Sequence, residues 1–195
     1  MSILRHAALD ASLRELSLCS PDPAALADYY ARALGYRFAD DGRGLLGVAA
    51  DRRLRIVPGP ARTLDYAGYA LADAAEADAL RARLDAAGVP LHEAPWPGYA
   101  GEAIRFGDPD GNGFVMGVAE PAPPAPEGTT AARAARLQHV VFATTDIDRL
   151  LAFHLHVTGF ALSDRVSDEH GVLRTAFLRC SHEHHSLAMF QTAEA

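Results

Sequence analysis

A repeat within the chain limits its possible folds more than any other feature of the sequence. When Leu13 is aligned with Leu137, the offset is 124 residues (137 − 13), and the segments that follow match without a gap. Seven aligned pairs keep the same residue or a similar one: Leu13/Leu137, Asp22/Asp146, Leu26/Leu150, Tyr29/Phe153, Gly35/Gly159, Tyr36/Phe160 and Asp40/Asp164. Internal repetition decides the architecture before any single segment does. The sequence therefore predicts a fold built from copies of one small module.

Each copy has the pattern of a βαβββ module. Residues 13–19 alternate apolar and polar side chains, as a half-buried strand does. Asp22 then offers a helix start, and Gly35 offers a helix stop. The strand-like runs that follow are residues 36–38, 45–48 and 54–57. A second copy begins near residue 64, so we predict an α+β fold in which repeated βαβββ modules form curved, cleft-forming mixed sheets.

The repeat and the local composition together predict the domain limits. Residues 1–10 read as a leader, and residues 11–119 as an N-terminal domain of two modules, 11–60 and 63–119. Residues 120–136 are rich in proline and alanine without apolar periodicity, which is typical of a semi-rigid linker. Residues 137–195 form a third module. We therefore expect two domains, the second of them incomplete in this chain.

The composition excludes several classes of protein. Hydrophobic residues make up 49% and charged residues 22% of the chain, as in an ordinary globular protein. The net charge of −7 gives no basic face for nucleic acid. No apolar run approaches the roughly 20 residues that span a bilayer, and the first residues lack the apolar core of a secretion signal. We expect a cytoplasmic protein with neither nucleic acid nor membrane as a partner.

Two histidine-bearing runs bound the third module. The first, residues 137–142, contains His139, and the second, residues 182–190, contains His184 and His185. If both runs are strands of one sheet, imidazoles that are distant in sequence meet there. Regular alternation along the second run would put His185 on one face of the sheet and His184 on the other. Imidazole both binds metals and changes charge near neutral pH, so this pairing predicts a metal site or an acid–base site.

Plainer interpretations of the histidines stay open. His139 fits equally a half-buried histidine bonded to the backbone. The run of residues 182–185 fits a solvated, histidine-rich strand entry that binds stray transition metals. His154 and His156, in the predicted helix after Asp146, are expected to pack at the surface or at an interface.

The modules resemble the vicinal oxygen chelate superfamily, which contains glyoxalase, bleomycin-resistance proteins and dioxygenases. The resemblance is carried by the βαβββ order, by the pattern of residues 22–36, and by the Asp-Pro-Asp-Gly-Asn turn at residues 108–112. The third module is similar in more detail to type I extradiol ring-cleaving dioxygenases, through residues 137–141 and 184–188. In that family two domains hold four modules, and the second domain binds a single metal.

The resemblance implies roles for two histidines. His139 falls at the position of the family's first histidine ligand, and the metal would be iron(II), with manganese(II) as the second choice. His185 falls at a catalytic histidine that is not a ligand and assists dioxygen activation and proton transfer. The remaining histidine and glutamate ligands are expected in a fourth module that this chain does not contain. The corresponding positions of the first domain hold Glu15 and Val115, so that domain is expected to be a structural duplicate.

The resemblance therefore implies an extradiol-dioxygenase-like oxidoreductase of aromatic catabolism, which cleaves a catechol-type ring with O2. Its partners would be a small aromatic substrate and O2. We also expect a homo-oligomer, because an unpaired third module would expose a sheet edge and an apolar face. Two alternatives stay open: a metal-free ligand-binding protein of the bleomycin-resistance kind, and a glyoxalase-type metal-dependent lyase or isomerase.

Overall fold

The computed structural model of the protein describes residues 9–49, 52–121 and 137–193. Within these ranges the α+β fold predicted from the sequence is confirmed, because the strands form mixed sheets and the helices are few. Most of the predicted leader and linker, residues 1–8 and 122–136, lies outside the described residues. Leu9, at the end of the predicted leader, is buried, and its N–H donates to the carbonyl of Gly159 at 3.1 Å.

Three successive segments have the βαβββ order. The first comprises β1 (Ala11–Ser20), α1 (Pro23–Leu34), β2 (Arg37–Asp40), β3 (Leu45–Ala49) and β4 (Arg52–Pro58). The second comprises β5 (Thr63–Leu71), α2 (Ala74–Ala86), β6 (Leu91–Pro95), β7 (Glu102–Gly107) and β8 (Gly113–Val118). The third comprises β9 (Val140–Thr144), α3 (Ile147–Phe153) continued by a π-helical turn (His154–Thr158), β10 (Ala161–Ser167), β11 (Leu173–Arg179) and β12 (Leu187–Gln191).

All three segments share one strand topology. The strand orders are β2-β3-β4-β1, β6-β7-β8-β5 and β10-β11-β12-β9, so the first strand always lies beside the last. In the first segment β1 runs parallel to β4, with Glu15 opposite Arg53. In the third segment β9 runs parallel to β12, with Val140 opposite Leu187. This agreement confirms the repeat at the level of topology.

The helix ends explain why the repeat is visible in the sequence. Asp22 and Asp146 are both N-caps, and each side chain accepts a hydrogen bond from the backbone N–H three residues later. Gly35 and Gly159 end the two helices with φ angles of 74° and 90°, a left-handed conformation that favours glycine. The helices differ only in the last turn. There, the N–H of Gly159 reaches back five residues to His154, which makes a π-turn.

Contacts divide the chain into two compact units. Among the described residues, the first unit comprises residues 9–13, 69–119 and 138–193, and the second comprises residues 14–49, 52–68, 120–121 and 137. This division groups the second βαβββ segment with the third, whereas the sequence predicted a domain of residues 11–119. The predicted domain limits stay a prediction.

Each unit has its own core. The second unit packs Ala27 of α1 against the sheet, with Tyr36, Ala49, Leu54 and Ile56 buried around it. The first unit is centred on aromatic rings, where Phe114 contacts Phe142 at 5.8 Å and Tyr69 contacts Phe160 at 5.5 Å. These contacts between aromatic rings pack strands of the second segment against the third segment, so both fall in the first unit.

His154 lies in that aromatic core and not at the surface, which corrects one of the two placements predicted for it. Its ring is fully buried, 5.3 Å from the ring of Phe114, and Nδ1 lies 3.3 Å from the hydroxyl of Thr158. Nε2 lies 3.6 Å from a carboxylate oxygen of Asp108. Burial lowers the pKa of His154, and the nearby Asp108 only partly opposes this shift. His154 therefore packs as a neutral core residue, while His156 is exposed.

Across the described ranges, none of the helices has the length and apolar character that a membrane crossing requires.

Candidate functional site

His139 and His185 lie together in the first unit, as the sequence predicted. His139 immediately precedes β9, and His185 lies two residues before β12. Because these strands are parallel neighbours, their first residues are side by side, and the N–H of Val140 donates to the carbonyl of Ser186 at 3.1 Å. The two imidazole rings are 4.6 Å apart between centroids, with 40° between their planes. The pairing of β9 with β12 thus brings together two imidazoles that are distant in sequence.

The strand predicted around His184 and His185 begins later than expected. It starts at Leu187, and the two histidines lie in an irregular segment before it. The predicted separation of their side chains onto opposite faces is therefore wrong, since alternation applies only within a strand. Instead the two Nδ1 atoms lie 2.8 Å apart, a hydrogen-bond distance. His184 is thus a member of the site that the strand pattern had excluded.

Phe177 supports both imidazoles from the middle of β11. Its ring centroid lies 5.0 Å from that of His185 and 6.2 Å from that of His184. Phe177 pairs with Ala188 of β12, next to the segment that carries the histidines. No sequence pattern pointed to a role for Phe177. Phe177 is only partly buried between the buried Ala176 and Leu178, which the structure alone reveals.

The electrostatics of the site favour neutral imidazole at His185. Partial burial lowers the pKa of His185, and the closeness of His139 and then of His184 lowers it further. His139 and His184 are exposed, whereas His185 is half-buried. A neutral imidazole offers one N–H donor and one lone pair, so His185 can hold or accept a proton at neutral pH.

The described residues do not complete a metal site. The resemblance implies a set of two histidines and one carboxylate, and it puts His139 at the position of one of these histidines. Among residues 9–49, 52–121 and 137–193, no group of three histidine, cysteine, aspartate or glutamate side chains is arranged to hold a metal ion. His139 is nevertheless exposed beside His185, so its ring is accessible to a ligand. The described residues therefore offer one candidate ligand, His139, toward the set that the resemblance implies.

A cavity of about 590 Å³ adjoins this cluster. It is lined by the start of β10, by Arg179 and by residues 182–184. His184 lines the cavity, whereas His139 and His185 do not. Its lining carries both signs of charge, from Asp164, Arg165, Arg179 and Glu183. His184 therefore lies between this polar cavity and the imidazole of His185.

In the second unit, the residue equivalent to His139 is Glu15, which is part of a buried network of ion pairs. Glu15 is fully buried, and its carboxylate accepts hydrogen bonds from Nε of Arg53 at 2.8 Å and from Nε of Arg55 at 3.1 Å. The hydroxyl of Tyr66 also donates to Glu15. Both carboxylate oxygens of Glu15 already accept hydrogen bonds from guanidinium or phenol groups, so Glu15 has a structural role in this network.

Arg55 anchors the same network through a second carboxylate. Its two terminal nitrogens donate to Asp41 at 2.7 and 2.8 Å. Burial acts to lower the pKa of Arg55, but Asp41, Tyr66 and Glu15 outweigh burial, and the pKa is raised. The guanidinium is therefore a fixed positive charge. Val115, at the other ligand-equivalent position, is a fully buried core residue of the first unit.

Comparisons with known proteins agree with this fold. A sequence model of the Glyoxalase/Bleomycin resistance protein/Dioxygenase superfamily matches residues 6–116 and 136–195. The iron-dependent extradiol dioxygenase of Rhodococcus jostii (strain RHA1) is 33% identical over 156 residues, which are 70% of this chain and 51% of that protein. The chain thus spans about half the length of this curated relative.

Two solved structures show the same fold. The crystal structure of BphC, a halotolerant catechol dioxygenase, superposes with a TM-score of 0.76 at 24% identity, covering 93% of this chain and 65% of that one. Homoprotocatechuate 2,3-dioxygenase from Arthrobacter globiformis superposes with a TM-score of 0.77 at 21% identity, covering 98% of this chain and 63% of that one. At these sequence identities, the likeness to the two structures establishes the fold and no more.

Proposed function

Because this chain belongs to the glyoxalase/bleomycin resistance/dioxygenase superfamily, we propose that it is part of an extradiol-dioxygenase-like oxidoreductase. The proposed reaction opens the ring of a catechol-type aromatic with O2, beside the hydroxyl groups. Support for this choice within the superfamily comes from the similarity to the iron-dependent extradiol dioxygenase of R. jostii. The relative is twice as long as the matched part, so the activity proposed is that of the complete protein.

The observation that carries the proposal is the contact between His139 and His185, whose ring centroids are 4.6 Å apart. His139 is proposed as a metal ligand because its ring is exposed at the start of β9. Iron(II) is the proposed metal, with manganese(II) as the second choice. When bound, a redox-active metal with open coordination positions supplies the reactivity toward O2 that an imidazole lacks. A complete site needs two more ligands from outside the described residues.

His185 is proposed to handle protons. Its lowered pKa keeps the ring neutral at pH 7, so one ring nitrogen carries a lone pair that can accept a hydroxyl proton from the substrate. The ring of Phe177 packs against that of His185 in an edge-to-face arrangement, with the centroids 5.0 Å apart. An acid–base group acts only when held within hydrogen-bond reach of the proton, which this packing favours.

Oxygen uptake tests the proposal. The protein is purified from its native source under anaerobic conditions with iron(II), and O2 consumption is followed after addition of catechol or a substituted catechol. We expect substrate-dependent O2 uptake and formation of a ring-opened product, both abolished in His139→Ala and kept in His182→Ala. His182 is the control, because it is an exposed histidine that lies in the segment before β12 and not beside β9.

Two other results would replace the proposal. Substrate turnover that continues without O2 would indicate a lyase or isomerase. Ligand binding with neither metal nor turnover, unchanged in His139→Ala, would indicate a metal-free binding protein.

A further inference from the structure

The contact between His184 and His185 requires a single shared proton. Their Nδ1 atoms are 2.8 Å apart, the ring centroids are 5.1 Å apart and the planes are at 85°. Two lone pairs at this distance would repel, and two N–H groups would clash. A neutral imidazole carries one N–H and one lone pair, so one ring must donate from Nδ1 and the other must accept at Nδ1.

This contact fixes which nitrogen of His185 remains available. Because Nδ1 of His185 is engaged with His184, Nε2 is the nitrogen left to act on another molecule. If His185 donates from Nδ1, its Nε2 carries the lone pair and can accept a proton. If His184 donates instead, Nε2 of His185 carries the hydrogen and can accept nothing. The direction of one hydrogen bond thus decides whether His185 can be a base.

The surroundings hold His184 and His185 in register. Phe177 contacts both rings, with centroid distances of 6.2 Å and 5.0 Å, and the ring of His139 lies 4.6 Å from that of His185. His184 is exposed and lines the cavity, so water can accept a hydrogen bond from its Nε2. With hydrogen on Nε2, His184 presents a lone pair at Nδ1 to its neighbour. Both of its nitrogens are then satisfied.

We propose that His184 is a positioning residue, which accepts the Nδ1–H of His185 and thereby holds His185 in the tautomer whose Nε2 carries the lone pair. The role given to His185 rests on the proposed function. The hydrogen bond and the tautomer are properties of this chain and need neither metal nor substrate. They are therefore testable separately from the reaction.

Nitrogen-15 NMR of the histidine rings in the metal-free protein tests the proposal. At about pH 8.5, two units above the ordinary imidazole pKa, the rings are neutral and the ¹⁵N shifts report which nitrogen carries hydrogen. We expect His185 to show protonated Nδ1 and unprotonated Nε2. In His184→Leu this signature is lost, and Nε2 becomes the protonated nitrogen. In His184→Asn, whose side-chain oxygen can accept near the position of Nδ1, the signature returns.

His182→Leu, in the same exposed segment, should leave the His185 signature unchanged. Protonated Nε2 on His185 in the unmodified protein would overturn the proposal without any variant, and so would an unchanged signature in His184→Leu. If His185 shows the expected tautomer but the protein consumes no O2, the positioning role of His184 is retained and the proposed dioxygenase activity is rejected.

Discussion

Replacing Glu15 by glutamine should destabilise the protein strongly, because Glu15 neutralises two guanidinium groups in the interior of the second unit. The carboxylate is fully buried, and Arg53 and Arg55 donate to it at 2.8 Å and 3.1 Å. Removing one partner of a buried ion pair costs about 3–5 kcal/mol, since the remaining charge is left uncompensated. Arg55 keeps two hydrogen bonds to Asp41, so we expect the lower end of this range, about 3 kcal/mol.

Chemical denaturation of Glu15→Gln and the unmodified protein measures this cost as a difference in the free energy of unfolding. A matched control is Asp28→Asn in the same unit, which removes the exposed pair between Asp28 and Arg32 at 2.9 Å. Exposed pairs of this spacing contribute about 0.3–0.5 kcal/mol. A cost for Glu15→Gln as small as that of the control would refute the view that this position is occupied by a structural network.

Three further predictions concern charge and exposed apolar surface. Burial acts to raise the pKa of Asp41, but hydrogen bonds from Arg55 outweigh it and lower that pKa below its ordinary 3.8. The stabilisation from the charged Asp41 is therefore present above pH 3.8 and is lost as the pH falls through the lower pKa of the folded state. Asp41→Asn should therefore reduce the loss of unfolding free energy below about pH 4. Burial lowers the pKa of His154, so the stability that neutral His154 contributes is present above its unfolded pKa and is lost as the pH falls. The unfolding free energy of His154→Leu should therefore decline less between about pH 7 and pH 5 than that of the unmodified protein. An equal decline in the two proteins would contradict this. Val141 on β9 and Phe190 on β12 are 46% and 41% exposed, on one face of the sheet. Changing both to serine should lower the mass of any self-associated species in analytical ultracentrifugation. An unchanged mass would show that this face of the sheet does not mediate association.

The repeat made most of the fold predictable. Asp22 and Asp146 cap their helices in the same way, and Gly35 and Gly159 both end them in the left-handed conformation. Such local rules depend on residues close in sequence, so they can be read directly. The π-turn at His154 was not predicted, because the third helix has the same number of residues as the first and differs only in its hydrogen bonding.

The site was predictable only in part. The meeting of His139 with His185 followed from the expectation that both lie in strands of one sheet, and the structure brings their rings together, although each lies just before its strand. The contact of His184 with His185 could not be predicted, because it depends on the strand starting at Leu187. The pairing of Glu15 with Arg53 and Arg55 depends on strand register across the sheet, which alternation patterns do not fix.

The iron content of the native protein tests most directly whether His139 binds a redox-active metal, as proposed. The protein and its His139→Ala and His182→Ala variants are purified anaerobically with iron(II), and iron is measured against protein concentration. We expect stoichiometric iron in the unmodified protein and in His182→Ala, and loss of iron in His139→Ala. Iron absent from the unmodified protein, or retained in full by His139→Ala, would contradict the proposed role of His139.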